Sequence, residues 1–158
     1  MNLTYTRPAK GARALRRGRF SGRNQIYHIT TRTREREPFF LNLMLGRTVV
    51  RSLQREDDAG HTQTLAFVVM PDHLHWLVQL TGTRSLSVSV NTVKSFAARS
   101  INQIMGRSGR VWQTGYYDHA LRNEEDLAAV ARYIVANPLR AGLTRSIADY
   151  PLWDAIWI

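Results

Sequence analysis

Apolar and polar positions change period several times along this chain, and each change marks an element. Residues 25–33 (Gln-Ile-Tyr-His-Ile-Thr-Thr-Arg-Thr) alternate and are rich in β-branched side chains, which predicts a first strand. Beyond Phe39, apolar residues at Phe40, Leu43, Met44, Val49 and Val50 fall near helical spacing and predict a helix over about 40–54. Residues 56–60 read as a polar turn. Two apolar runs, 64–70 and 73–80, are broken only by Pro71-Asp72, and read as two tightly joined strands or one strand bent at the proline. Leu86, Val90, Val93, Ala97, Ile101 and Ile104 trace one face of a long helix over about 85–105. A loop anchored by Val111-Trp112-Gln113 follows, then a short strand near 117–122. Asn123, with acids in the turn after it, reads as the cap of a last helix that Pro138 stops near Asn137.

The order β-α-β-β-α-β-α predicts an α+β fold: a ferredoxin-like antiparallel sheet with helices packed on one face, followed by a C-terminal helix. Residues 1–23 lack apolar periodicity and read as a basic flexible N-terminal arm, with 24–158 as a single domain. At 158 residues the chain can bury a sizeable core.

Charge sharpens the picture. The formal net charge is +10, yet residues 1–34 alone hold nine basic residues and no acid, while the rest is nearly balanced. All but Lys10 and Lys94 of the basic residues are arginines, whose planar fork suits phosphate oxygens. A basic arm on a near-neutral body is the electrostatic footprint of a nucleic-acid binder, with Arg13, Arg16, Arg17, Arg19 and Arg23 as candidate DNA contacts. There is no cysteine, which excludes disulfides and thiolate metal sites. No 18-residue apolar window predicts a membrane span, and a cytoplasmic location is expected.

Candidate chemistry sits at two places. His73 and His75 are two residues apart in a strand-like run, so both imidazoles leave one face side by side and form half of a divalent metal site. On the last helix Tyr133 and Asn137 are four apart and share a face. An Asn oxygen could complete a His-His-Asn site for Mg²⁺ or Mn²⁺, and a tyrosine one turn away could attack a phosphorus beside it. Tyr116 and Tyr117 are rival nucleophiles. Asp72 alternates away from both histidines and reads as a turn residue; His28 and His119 read as structural, Trp76 and Trp112 as core, and Lys94 and Arg99 as solvent-facing.

Taken in order, several of these stretches resemble one family. Tyr27-His28-Ile29-Thr30, Met70-Pro71-Asp72-His73-Leu74-His75, Trp112-Gln113, Tyr116-Tyr117-Asp118-His119-Ala120-Leu121-Arg122 and Tyr133-Ile134-Val135-Ala136-Asn137-Pro138-Leu139-Arg140-Ala141-Gly142 are similar to the HUH single-tyrosine transposases. The resemblance is closer to their bacterial REP-associated tyrosine branch, and covers about residues 24–145. It implies an enzyme that cuts and rejoins single-stranded DNA, with Tyr133 as nucleophile on a C-terminal catalytic helix and His73, His75 and Asn137 as ligands of Mg²⁺ or Mn²⁺. It further implies a palindromic hairpin as substrate and a 5′-phosphotyrosine intermediate. Either a monomer or a homodimer is compatible with it. Two other classes compete: a hairpin-binding module that keeps the fold without chemistry, and a metal-dependent hydrolase of small phosphoesters.

Overall fold

The computed structural model describes residues 24–122 and 126–156. The candidate arm arginines and Asn123 lie outside those residues. Among the described residues no helix is long and apolar enough to cross a membrane.

Strand β1 (Ile26–Arg32) runs antiparallel to β3 (His73–Leu80), and β3 pairs with β2 (Thr62–Met70) across the Pro71-Asp72 turn. With β4 (Tyr117–Ala120) beside β1 and β5 (Trp153–Ala155) beside β2, the sheet order is β4-β1-β3-β2-β5, antiparallel throughout. The two runs around Pro71 are therefore separate strands. Backbone contacts clamp their turn: the amide of Phe40 donates to Pro71 O, and that of Thr33 to Asp72 O.

The alternation of each strand divides the sheet into two unlike faces. Tyr27, Ile29, Phe67, Val69, Leu74, Trp76, Val78 and Leu80 point to one face, where α1 (Leu43–Asp58) and α2 (Leu86–Met105) cover them with Val49, Leu53, Val90, Val93, Ala97 and Ile101. This is the main core, and it holds both Trp76 and Trp112 as expected. The other face carries Ala66, Val68, Met70 and Leu77, against which α3 (Leu127–Val135) sets Ala131, Ile134 and Val135. A bulge between Thr64 and Ala66 turns Leu65 toward this second cluster as well. The two long helices thus share one face, and the last helix takes the other.

Four local expectations need correction. A 3₁₀ turn over Phe39–Leu41 precedes α1, which runs from Leu43 through Asp58, so the acids at 56–58 are helical and not a turn. Glu56 is buried and held by Arg84 Nη1 at 2.9 Å and Ser89 Oγ at 2.7 Å, while the Asp57 carboxylate accepts from Thr62 and Thr64 at the start of β2. These side-chain partners come from other elements, which is why local polarity misled. Asp126 caps α3 by accepting from the Ala129 amide. Pro138 does not stop a helix: α3 ends at Val135, and the proline opens a one-turn helix, α4 (Asn137–Arg140), where its missing N–H costs nothing. Lys94 is buried and not solvent-facing, its ammonium donating to Gln113 O at 2.9 Å and Gly115 O at 2.7 Å. Arg99 is exposed as expected.

Candidate active site

His73 and His75 leave β3 on the face that α3 partly covers. Leu77, two residues on, lies in the α3 cluster, and the cross-strand partners of the two histidines are Met70 and Val68, both members of it. The imidazoles stand edge to face with ring centroids 4.9 Å apart, as the two-residue spacing requires.

Each ring is fixed through Nδ1. His73 Nδ1 lies 2.6 Å from Asp72 Oδ1, and the other carboxylate oxygen accepts from Arg36 Nε at 2.6 Å. Burial lowers the pKa of His73, against the opposing pull of Asp72. Burial pushes the Asp72 carboxyl up, but the hydrogen bonds from His73 and Arg36 outweigh it and hold the group below its ordinary value. A neutral His73 then donates Nδ1–H to the carboxylate and presents the Nε2 lone pair, the arrangement that orients histidine ligands in metal sites. Asp72 is thus more than turn chemistry. Its backbone position alternates away from His73, yet its side chain folds back onto the neighbouring ring.

His75 is anchored across the strands. Its Nδ1 lies 3.0 Å from His28 Nε2 and 3.1 Å from Thr30 Oγ1, both on β1. His28 is buried, and burial first, with His119 second, drops its pKa to about 3, so it is neutral and can accept from His75 Nδ1–H. His28 is the structural histidine expected from the sequence, but the structure it supports is that of His75.

Tyr133 and Asn137 lie where α3 bends into α4, both half-buried beside Ile134 and Val135. Asn137 Nδ2 donates to Ile134 O at 2.8 Å, so Oδ1 would be its ligand atom. Arg140 returns to the same turn: Nη2 donates to Tyr133 O at 2.7 Å, and the guanidinium carbon sits 3.8 Å over the Tyr133 ring centroid. Among the described residues no group of three or more His, Asp or Glu is placed to hold a metal, so a third protein ligand would have to be of another type, such as an amide.

The two rival tyrosines separate cleanly. Tyr116 is buried in the main core with its hydroxyl 2.8 Å from Ser87 Oγ. Tyr117 pairs with Thr30 on the histidine face, under the Arg32 guanidinium at 5.2 Å. Strand alternation alone distinguishes them once β4 is in register.

Comparison with known proteins places the chain among relatives. The family model described as "Transposase IS200 like" matches residues 21–137. A REP-associated tyrosine transposase of Escherichia coli K12 is 29% identical over 87 residues, 54% of this chain and 50% of the relative. A Haemophilus influenzae protein of the same name, provisionally assigned, is 27% identical over 99 residues, 56% of each chain. The chain thus spans about half the length of the curated relatives it matches. A solved REP-associated tyrosine transposase bound to a REP hairpin superposes with a TM-score of 0.70 at 21% identity, covering 85% of this chain and 79% of that one, a likeness of fold.

Proposed function

The chain belongs to the IS200-like transposase family, and from that premise we propose that it nicks and rejoins single-stranded DNA at REP-type palindromic hairpins. One observation carries this reading: two histidines locked through Nδ1 share a sheet face with the helix that bears Tyr133. The named relatives and the hairpin-bound structural neighbour supply the substrate class.

Tyr133 is the nucleophile. Its Oη attacks the scissile phosphorus, the P–O3′ bond breaks, and the departing oxygen takes a proton from solvent to become a free 3′-hydroxyl. The phenolic proton leaves to solvent. The 5′-phosphotyrosine keeps the energy of the broken phosphodiester, so a 3′-hydroxyl can reverse the step and join strands without a nucleotide cofactor. His73, His75 and Asn137 Oδ1 would hold Mg²⁺ or Mn²⁺. The donor set fits, because the Nδ1 contacts of His73 to Asp72 and of His75 to His28 leave Nε2 of each ring as the ligating atom. A cation there would polarise the phosphate and offset its charge. Burial and the Nδ1 bonds keep the rings from turning, so the chain presents donors that need no rearrangement. Arg13, Arg16, Arg17, Arg19 and Arg23 would grip hairpin phosphates and set position and affinity without reading bases.

The test is a denaturing gel of single-stranded hairpin oligonucleotides, drawn from palindromes flanking the gene, incubated with the protein and Mg²⁺ or Mn²⁺. The expected result is a protein–DNA adduct that requires metal and disappears in Tyr133→Phe and His73→Ala. Tight hairpin binding with no adduct under any metal would leave the non-catalytic binding module as the function.

A further inference from the structure

We propose that Arg140 is a second cationic element of the strand-transfer site, holding the Tyr133 ring in place and presenting its guanidinium to the phosphate that Tyr133 attacks. This rests on Tyr133 being the nucleophile.

The last carbonyls of a helix lack intrahelical partners, and at the end of α3 side chains from α4 serve two of them: Asn137 takes Ile134 O and Arg140 takes Tyr133 O. Arg140 is seven residues beyond Tyr133, and the bend at Ala136 brings it back. A cation at a helix C-terminus is favourable in itself, and capping alone would be met by any flexible cation. Arg140 does more than cap, because the plane above Tyr133 is occupied by its guanidinium carbon at 3.8 Å. That contact fixes a ring which is only half-buried.

A guanidinium has five N–H donors, and the carbonyl of Tyr133 engages one nitrogen. Arg140 is exposed and its guanidinium carbon lies over the Tyr133 ring, so the rest of the fork is open to a substrate approaching the phenol. A phosphodiester arriving at Tyr133 Oη therefore meets this fork, whose geometry matches two phosphate oxygens. Of the other arginines, Arg36 is bound to Asp72, Arg132 lies 3.9 Å from Asp126 and the Arg32 guanidinium sits over the Tyr117 ring. During attack the P–O bond to Tyr133 forms as P–O3′ breaks, and negative charge builds on the phosphoryl oxygens. Arg140 donates hydrogen bonds to that charge. Joining runs through the same contacts in reverse.

The experiment is single-turnover adduct formation by the full chain on the same hairpin oligonucleotides, with hairpin affinity and melting temperature measured alongside. Arg140→Ala should slow adduct formation by about 100-fold, the scale of losing one charge-stabilising donor, with hairpin Kd within a few-fold of wild type. Free guanidinium at millimolar concentration should restore part of that rate, which no repair of helix capping would do. Arg140→Lys keeps a charge and a cap donor but loses the planar fork, so it should melt like the wild type and react at least about tenfold more slowly. Wild-type rates in Arg140→Lys, or a loss in Arg140→Ala that follows melting temperature and resists guanidinium, overturn the proposal. An adduct that survives in Tyr133→Phe overturns the nucleophile assignment and this proposal with it, and is read independently of any Arg140 variant.

Discussion

The Asp72 carboxylate joins Arg36 to His73, with 2.6 Å on each side. Because Asp72 sits in the β2–β3 turn, whose backbone is bound by Thr33 and Phe40, the orientation of His73 is set by three separate segments. Removing the carboxylate should free the ring and lower its basicity as a ligand. Asp72→Ala is expected to weaken Mn²⁺ binding by about 10- to 100-fold, read by titration calorimetry, with the sheet intact by circular dichroism. Arg36→Ala should have a smaller effect, since Arg36 is about half exposed and its ion pair is screened by water.

The pair His28 and His75 makes a prediction about acid. His28 has a folded pKa of about 3, below its ordinary value of 6.5, because burial disfavours its charged form and His119 adds to this. Between those two values the unfolded chain binds a proton at this position and the folded chain does not. The contribution of His28 is therefore complete above about pH 6.5 and is lost as pH falls toward 3, at about 1.4 kcal/mol per pH unit. Urea denaturation of the metal-free protein from pH 7 to pH 4 should show this loss. His28→Gln should flatten the profile by about that slope, whatever its own cost at neutral pH. Identical slopes for the two proteins would show that His28 titrates normally in the fold.

What could be read before the structure divides along the range of the interactions involved. Strand and helix periods are local, so the order of elements, the His73–His75 pair and the core roles of Trp76 and Trp112 were legible from spacing. The partners of the site residues were not. Thr30 and His28 reach His75 only through the β1–β3 register, and β5 is a three-residue strand with too little pattern to detect. Arg140 stacks on Tyr133 because the chain bends at Ala136, and a straight-helix reading does not bring positions seven apart into ring contact.

Lys94 shows the same limit on the main-core side and gives a stability prediction. Its ammonium ties α2 to the loop before β4 through two carbonyls, and Trp112 Nε1 donates to the Lys94 carbonyl at 2.9 Å from the same loop. Lys94→Met keeps most of the apolar stem but removes the donor to Gln113 O and Gly115 O. We expect a loss of about 2 kcal/mol, since carbonyls deprived of a charged donor cost about 1–3 kcal/mol. For a chain of this size that is roughly 4–8 °C in melting temperature. Lys94→Arg should recover only part, because a larger planar head replaces the compact ammonium that meets both carbonyls.

The assignment of the nucleophile is decided among three tyrosines, and the fold makes the outcomes distinct. Tyr116→Phe loses the bond to Ser87 Oγ on the exposed side of α2, so it should cost at most about 1 kcal/mol of stability and leave the adduct in place. Tyr117 lies on the histidine face beneath Arg32, where a base or phosphate can approach, but its position on β4 places it across Thr30 from His75 and not on α3. Tyr117→Phe retains the ring and its cation–π contact, so adduct formation should stay within about threefold of wild type. Tyr133→Phe also retains its ring under Arg140 and should melt normally while forming no adduct. Peptide mass spectrometry of nuclease-trimmed adduct reads the answer directly. Modification at Tyr133 alone is expected, and modification at Tyr117 would transfer the nucleophile to β4.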